Sequence, residues 1–422
     1  MERKDKEIRR LLGDMFQAAV DRALPDKFLP SHIAGLRPCA GKTLVLAAGK
    51  SGAAMARTFE KNYRGDFTGF AVCAYDHAVT CEKFEVLEAA HPVADENSVI
   101  AARRMLEEAG KLNAGDRLIF LMSGGASALL ASPPAGMSLG EKQAVSKALL
   151  KSGGNIQEMN CLRRHMSMIK GGRLAAAAYP AEVITWAISD VPGDEPRDIG
   201  SGPTIHDPST CADALNVARE YGISLPLMLE KGLRDGSLES VKPGDKRLEK
   251  ISFEIVACQD ESMNAAMDFC RDNNLPAEYY GTVFKEDSLS FGIKLAEVAR
   301  KAKSDGKAPL VIISGGETSV KVRGNGTGGR NSEFVLSLAV ALKGEKGIYA
   351  IAGDTDGVDG LAPIAGALIT PDTLTRARKQ GLDPDASLQN NDAHTFFKAL
   401  GDSVITGPTL TNVNDFRAIL IL

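Results

Sequence analysis

The sequence lacks a basic block, a paired-cysteine framework and any apolar run long enough to span a bilayer. Each absence removes a class of function. Lysine and arginine number 50 against 54 aspartates and glutamates, interspersed along the chain, for a net charge of −4. A nucleic-acid or anionic-membrane partner requires a concentrated positive patch, so neither is expected, and any phosphate site has to be local. The seven cysteines show no C-x-x-C spacing, which disfavours zinc and fits reduced thiols in a cytoplasmic protein. Aromatic residues make up only 5%, leaving few rings to stack on nucleobases. The charged start MERKDKEIRRLLGDMFQAAVDRAL has no signal-peptide core. Its apolar positions, among them Ile8, Leu12, Met15, Phe16 and Ala19, predict an amphipathic helix instead.

What the chain does have is apolar material for two cores: 422 residues, 44% of them hydrophobic, with 42 glycines as punctuation. Short apolar runs lead through glycine-rich turns into alanine-rich helical segments, as in TLVLAAG-KSG-AAMARTFEKN and DRLIFLM-SGGAS. Runs buried on both faces and alternating with helices predict a parallel sheet with crossover helices, and ligands collect at the carboxyl ends of such strands. The polar stretch from Lys231 to Lys250 reads as a boundary. The expected architecture is therefore α/β in two domains: an N-terminal Rossmann-like parallel sheet over residues 1–245 and a second α/β domain over 246–422.

Several turns carry candidate chemistry. Gly49-Lys50-Ser51-Gly52 lies between a predicted strand and helix, where helix N–H groups and a lysine suit a phosphate. Leu44 stands where a P-loop needs its first glycine, so the turn is not Walker A; a plain tight turn is the alternative. Gly324 to Gly329 satisfies G-x-G-x-x-G, and Asp354 sits at roughly the distance of a ribose-binding acid, which leaves a dinucleotide oxidoreductase in play. Arg330 and Asn331 directly after it favour terminal phosphates, and a flexible hairpin remains the bland reading. Asp354, Asp356 and Asp359 crowd one strand end; Val358 and Ala365 exclude an EF-hand, yet the oxygens suit Mg²⁺ or an Asx-turn cluster. Asp190 ends another strand, placed to touch a hydroxyl or metal, or to cap a turn. Arg163, Arg164, His165, Lys170 and Arg173 form a cationic cluster that suits an anion but reads first as a solvated helix face. His91 reads as structural. A G-x-S-x-G elbow is missing, since Leu129 follows Ser127 where its last glycine should be, so serine hydrolysis is disfavoured.

Taken in order, AAGKSGAAMA, HPVADENS, MSGGASALL, RRHMSMIKGGRLA, ISDVPGDEPRDIGSGPT, SGGETSVKVRGNGTGGRN, GDTDGVDG, NDAHTFFKALGD and TGPTLTNVND resemble the glycerate 2-kinase family, whose C-terminal half is the MOFRL domain. The resemblance spans nearly the whole chain. It implies an active site in the cleft between two domains and transfer of the ATP γ-phosphoryl group to the 2-hydroxyl of D-glycerate with Mg²⁺; closure around the substrates is expected because a cleft open to water would waste ATP. It implies catalytic positions at Lys50, Arg330 and Asp356, to which the residues themselves add Asp190. Ser51, Ser123, Gly124, Gly125, Ser127, Gly315, Gly316, Glu317 and Asn331 are expected around ATP or the acceptor, and Asp354 with Asp356 around the metal. The rival expectation is an NAD(P)-dependent hydroxypyruvate reductase. The oligomeric state stays open, a homodimer included.

Overall fold

The computed structural model describes residues 2–283 and 286–422. The chain divides into two compact units, Pro25–Val256 in one and the segment up to Leu24 with Ala257–Leu422 in the other.

The Pro25–Val256 unit is built on strands β1 (Thr43–Ala48), β2 (Thr68–Ala74), β3 (Phe84–Ala89), β4 (Arg117–Met122), β5 (Glu182–Ile188) and β6 (Ile251–Ala257), in the order β3-β2-β1-β4-β5-β6. Every pairing among β1 to β5 is parallel, and β6 lies beside β5. Residues of β1 and β4 are buried at every position, as a strand covered on both faces requires. Leu44, Leu46, Phe70, Leu118 and Phe120 share one core with the helix Glu96–Ala109. Each such side chain contributes about 1.5–3 kcal/mol by leaving water. Glycine and alanine at the start of the helix Gly52–Asn62 let it lie close on the sheet: a Cβ on Gly52 would stand 2.7 Å from the Val72 carbonyl oxygen. The chain runs from β1 to β2 on one side and returns to β4 on the other. That reversal is the switch point at which doubly wound sheets bind ligands.

The cationic segment 160–173 departs from expectation, because it is not a solvated face. Arg164, His165 and Lys170 are buried. Arg164 pairs with Asp198 at 3.2 Å and Asp207 at 3.0 Å. Arg173 donates to the carbonyls of Arg164, Lys170 and Leu238. These cations staple loops whose backbone oxygens would otherwise be buried without donors. Lys142 does the same for Met166 at 2.9 Å, and burial lowers its ammonium to about 8. An unfolded lysine titrates near 10.5, so the folded form sheds its proton first. Stability should therefore rise as pH goes from about 8 to 10.5, by up to about 3 kcal/mol. Chemical denaturation across that window should show the rise in the wild type and a much flatter profile in Lys142→Met.

The other unit carries β7 (Ala277–Thr282), β8 (Leu310–Gly316), β9 (Ile348–Asp354), β10 (Gly366–Ile369), β11 (Ser403–Val404) and β12 (Asp415–Ile421), ordered β11-β10-β9-β12-β8-β7. β12 runs antiparallel between β8 and β9, while β7 pairs with β8 in parallel, so this α/β sheet is mixed. The helix Glu2–Arg22 belongs here. Its stripe of Leu12, Met15, Phe16 and Ala19 packs on Ile351, Phe416 and Ala418 of the sheet and on Met263 of the helix Gln259–Asp272. The expected division into 1–245 and 246–422 thus gives way to one in which the first helix joins the last strands and the change-over falls after Val256. Among the described residues no helix is long and apolar enough to cross a membrane.

Candidate active site

Two polar assemblies contain the residues singled out by sequence, one in each unit. In the Pro25–Val256 unit the turns after β1 and β4 are bonded together. The Lys50 N–H donates to the Gly124 carbonyl at 2.8 Å, the Ser51 N–H to Ser123 Oγ at 3.0 Å, and the Ser123 N–H to the Ala48 carbonyl at 3.0 Å. Gly49 makes the approach feasible. Its φ is +129°, and a Cβ there would stand 2.1 Å from Ser123 Oγ. Lys50, Ser51, Ser123, Gly124 and Gly125 are therefore one feature at the switch point rather than two separate motifs.

A Cβ on Gly125 would meet the His91 ring at 3.0 Å and Lys50 Cγ at 3.4 Å, so both side chains lie over this turn. His91, read from sequence as structural, is thus placed at the candidate site. Ser51 stands immediately before the helix Gly52–Asn62, fully buried, and its hydroxyl has no hydrogen-bond partner among the described residues. An orphaned hydroxyl at a helix N-terminus, beside a lysine, is chemistry suited to an anion. Asp190 follows β5, next in the sheet to β4, and is half-buried. Ser127 Oγ lies 3.1 Å from Ser201 Oγ, linking the β4 turn to the loop after β5.

In the other unit, Asp415 opens β12 directly opposite Gly316 on one side and Asp354 on the other. Arg330, the first residue of the helix Arg330–Leu342, reaches into this corner. Its Nε donates to Asp415 at 2.9 Å, one terminal nitrogen pairs with Asp354 at 2.5 Å and the other with Glu317 at 2.9 Å. Burial works against the charge of Arg330, but Asp415, Asp354 and Glu317 together hold its pKa far above the usual arginine value. Asp415 also accepts from Asn331 Nδ2 at 2.7 Å and from the fully buried Arg417 at 2.6 Å. Glu317 is 47% exposed, so it is the one partner of Arg330 that an incoming anion can readily displace. Gly315 and Gly316 end β8. A side chain on Gly316 (φ +95°) would overlap the Val283 carbonyl at 2.1 Å.

Asp356 is nearly buried, its Oδ1 accepting from the Val358 N–H at 2.9 Å, and its own N–H donates to Asp354 Oδ1 at 3.0 Å. Asp359 has another duty. It is fully buried and accepts the N–H groups of Asn331 and Ser332 at 2.9 and 2.8 Å, so it caps the helix that Arg330 begins. Burial raises its carboxyl pKa in spite of those bonds.

That cap alters the reading of the G-x-G-x-x-G stretch. The free N–H groups expected to face a phosphate are taken by a carboxylate of the protein itself. The glycines pack against a neighbouring loop: Cβ atoms on Gly324 and Gly326 would fall within 2.5 Å of Asn390 and Asp392. The N–H groups of Gly324, Asn325 and Thr327 donate to the side chains of Asn391, Asn390 and Asp392. NDAHTFF is therefore the partner of this loop, and the glycines serve close packing rather than a pyrophosphate. Asn412 and Asn414 shape the turn into β12; Asn412 Oδ1 accepts the Asn414 N–H at 3.1 Å, with Asn414 in the left-handed region at φ 66°.

Oxygen donors for a divalent cation are present in Asp354 and Asp356, although one oxygen of Asp354 already serves Arg330. A different cluster, His165, Cys211 and Glu239, brings its ligand atoms within 4.8 Å of one another. Glu239 is already neutralised by Lys242 at 2.6 Å and bonded to His165 at 3.0 Å, which argues for a structural knot.

Comparison with known proteins agrees across the chain. Residues 11–234 match a domain of unknown function, DUF4147, and residues 310–415 match the MOFRL family. A protein of Agrobacterium vitis, provisionally named hydroxypyruvate reductase, is 46% identical over 99% of this chain and 95% of its own. D-glycerate 2-kinase of Thermotoga maritima is 34% identical over 98% of this chain and 99% of its own. The crystal structure of glycerate kinase from Thermotoga maritima superposes with a TM-score of 0.88 at 35% identity, covering 99% of this chain and all of that one.

Proposed function

The chain belongs to the glycerate 2-kinase family, and on that premise we propose that it transfers the γ-phosphoryl group of ATP to the 2-hydroxyl of D-glycerate, giving 2-phosphoglycerate and ADP. The observation that carries the reading is the turn at the β1/β4 switch point, where Lys50 lies over Gly125 beside the orphaned Ser51 hydroxyl. Phosphoryl transfer needs positioning and neutralisation of charge more than covalent assistance. The acceptor oxygen forms a bond to the γ-phosphorus, the bond to the β-phosphate bridging oxygen breaks, and the hydroxyl proton passes to a carboxylate.

In the first unit, Lys50 neutralises the transferring oxygens, while Ser51, Ser123, Gly124 and Gly125 provide hydrogen bonds around them and Ser127 serves the acceptor. In the second, Arg330 takes an anionic group of a substrate as Glu317 gives way, and Asn331 with the Gly315–Gly316 turn supports that corner. Asp356 is the first candidate for the proton acceptor and Asp190 the second. Mg²⁺, which takes hard oxygens and a share of phosphate, would be held by Asp356 and Asp354 and would offset charge on the phosphate oxygens.

A reductase remains the second reading, favoured by the strand order of dinucleotide-binding sheets and by the name of the Agrobacterium relative. Against it, β1 is followed by Gly-Lys-Ser-Gly instead of the glycine fingerprint. The deciding experiment incubates the protein with ATP, Mg²⁺ and D-glycerate, follows ADP, and identifies the product by ³¹P NMR. Glycerate-dependent ADP with 2-phosphoglycerate is the expected result. NADH oxidation with hydroxypyruvate, in the absence of any glycerate-dependent ADP, would overturn the kinase reading.

A further inference from the structure

Arg163 is a cation of the 160–173 segment with no carboxylate within ion-pair reach among the described residues. Its neighbour Arg164 is neutralised by Asp198 and Asp207. Among the described residues Arg163 has a single hydrogen bond, to Asn160 Oδ1 at 3.3 Å, although its guanidinium carries five N–H donors. Two more cations lie near it. Lys142 donates to the Met166 carbonyl, just past the helix Ile156–His165 on which Arg163 sits. Lys170 donates to the carbonyls of Ser127 and Leu130 at 2.8 and 2.6 Å. None of the three has a carboxylate within ion-pair reach among the described residues. Their mutual repulsion registers in the titration of Lys170, held well below the ordinary lysine range by burial first and then by Lys142 and Arg163. Concentrating cations in a partly dry region is costly unless an anion joins them.

The location indicates which anion. Asn160 Oδ1, the acceptor for Arg163, also accepts from Ser201 Oγ at 3.2 Å, and Ser201 Oγ lies 3.1 Å from Ser127 Oγ. Ser127 follows the Ser123–Gly125 turn by two residues. The chain of polar groups thus runs from the phosphate turn after β4, past the loop after β5, to Arg163. Ser201 is held in the left-handed region at φ 62°, a conformation uncommon outside glycine and kept only where surroundings enforce it. Arg163 and Ser127 are both partly exposed, while Asn160 and Ser201 between them are buried.

We infer that Arg163, with Asn160, Ser201 and Ser127, forms the subsite for the carboxylate of a small hydroxy-acid acceptor. The inference rests on the kinase reading for its place in a reaction, but not for the binding itself. The guanidinium fork takes the carboxylate in two parallel bonds. The serine hydroxyls face the remainder of the acceptor, and its 2-hydroxyl is directed toward the phosphate turn.

The test compares wild type with Arg163→Gln and Arg163→Lys, using D-glycerate and glycerol as acceptors and calorimetric titration of D-glycerate alone. Arg163→Gln should raise KM for D-glycerate by about 10- to 100-fold, leave KM for ATP unchanged, and narrow the preference for D-glycerate over glycerol. Arg163→Lys keeps the charge without the fork and should fall between. If the wild type releases no glycerate-dependent ADP yet binds D-glycerate in an Arg163-dependent manner, the kinase reading fails and the subsite stands. Equal D-glycerate affinity in wild type and Arg163→Gln, no binding by the wild type, or a matched change in both KM values with a lowered Tm would overturn the subsite.

Discussion

Lys50→Met should yield a folded protein whose kcat with ATP and D-glycerate falls by roughly 10²- to 10³-fold, the scale seen when one preorganised donor to a developing charge is removed. The structural bonds of the turn do not use the Lys50 side chain: the Lys50 N–H donates to the Gly124 carbonyl and the Ser51 N–H to Ser123 Oγ. Those survive a change of side chain at position 50. What disappears is the charge of a side chain whose Cγ lies over Gly125, where the γ-phosphate oxygens are proposed to sit. KM for ATP should change much less than kcat, because the charge is needed most as the phosphoryl group is transferred. A variant retaining more than a tenth of wild-type kcat, with Tm unchanged, would remove Lys50 from the mechanism.

Arg330→Met should be damaging in a different way, costing stability as well as turnover. Arg330 is the shared counter-charge of Asp354 and Asp415, both nearly or fully buried. Without it, Asp415 keeps Arg417 and Asn331, but Asp354 loses its 2.5 Å pair with Arg330. Removing one partner from a buried ionic network costs about 3–5 kcal/mol, because the remaining charge stays where water cannot reach it. Urea unfolding should show that loss. Arg330→Met combined with Asp354→Asn should recover part of it without recovering activity. Arg330→Lys should fail nearly as completely in turnover, since one ammonium cannot span three carboxylates. A loss below 1 kcal/mol in Arg330→Met would show that the network is not under this electrostatic tension.

The contrast between the two assemblies explains what the sequence made legible. The β1 and β4 turns each announce themselves by an apolar strand, glycines and a polar residue, and their convergence follows from the strand order of a doubly wound sheet. Asp415 gave no such signal. Its importance comes from β12 entering between β8 and β9 in the antiparallel sense, and neither periodicity nor spacing specifies which strands become neighbours. Asp359 was read with Asp354 and Asp356 as a possible ligand because all three crowd one turn, whereas its carboxylate faces the helix N-terminus and takes two N–H groups. The glycines at 324–329 match a nucleotide pattern for a reason of packing against Asn390 and Asp392. The cations at 163–173 look like a wet face until burial is known. In each instance the residue type was informative and the partner was not, since the partner lies far away in sequence.

The membership of the helix Glu2–Arg22 in the unit formed by Ala257–Leu422 has a consequence for biosynthesis. The ribosome makes that helix before Pro25–Val256 and the strand it leans on, β12, after it. During elongation Pro25–Val256 has all its own strands available and can complete its sheet while the remainder is still being made. The first helix meanwhile exposes Leu12, Met15 and Phe16, with no matching surface yet in existence. β8 and β9 are likewise without their central neighbour until β12 emerges. The order of synthesis and the order of assembly are thus opposed in this unit, so its sheet closes only once β12 has been made and the apolar stripe stays uncovered until then.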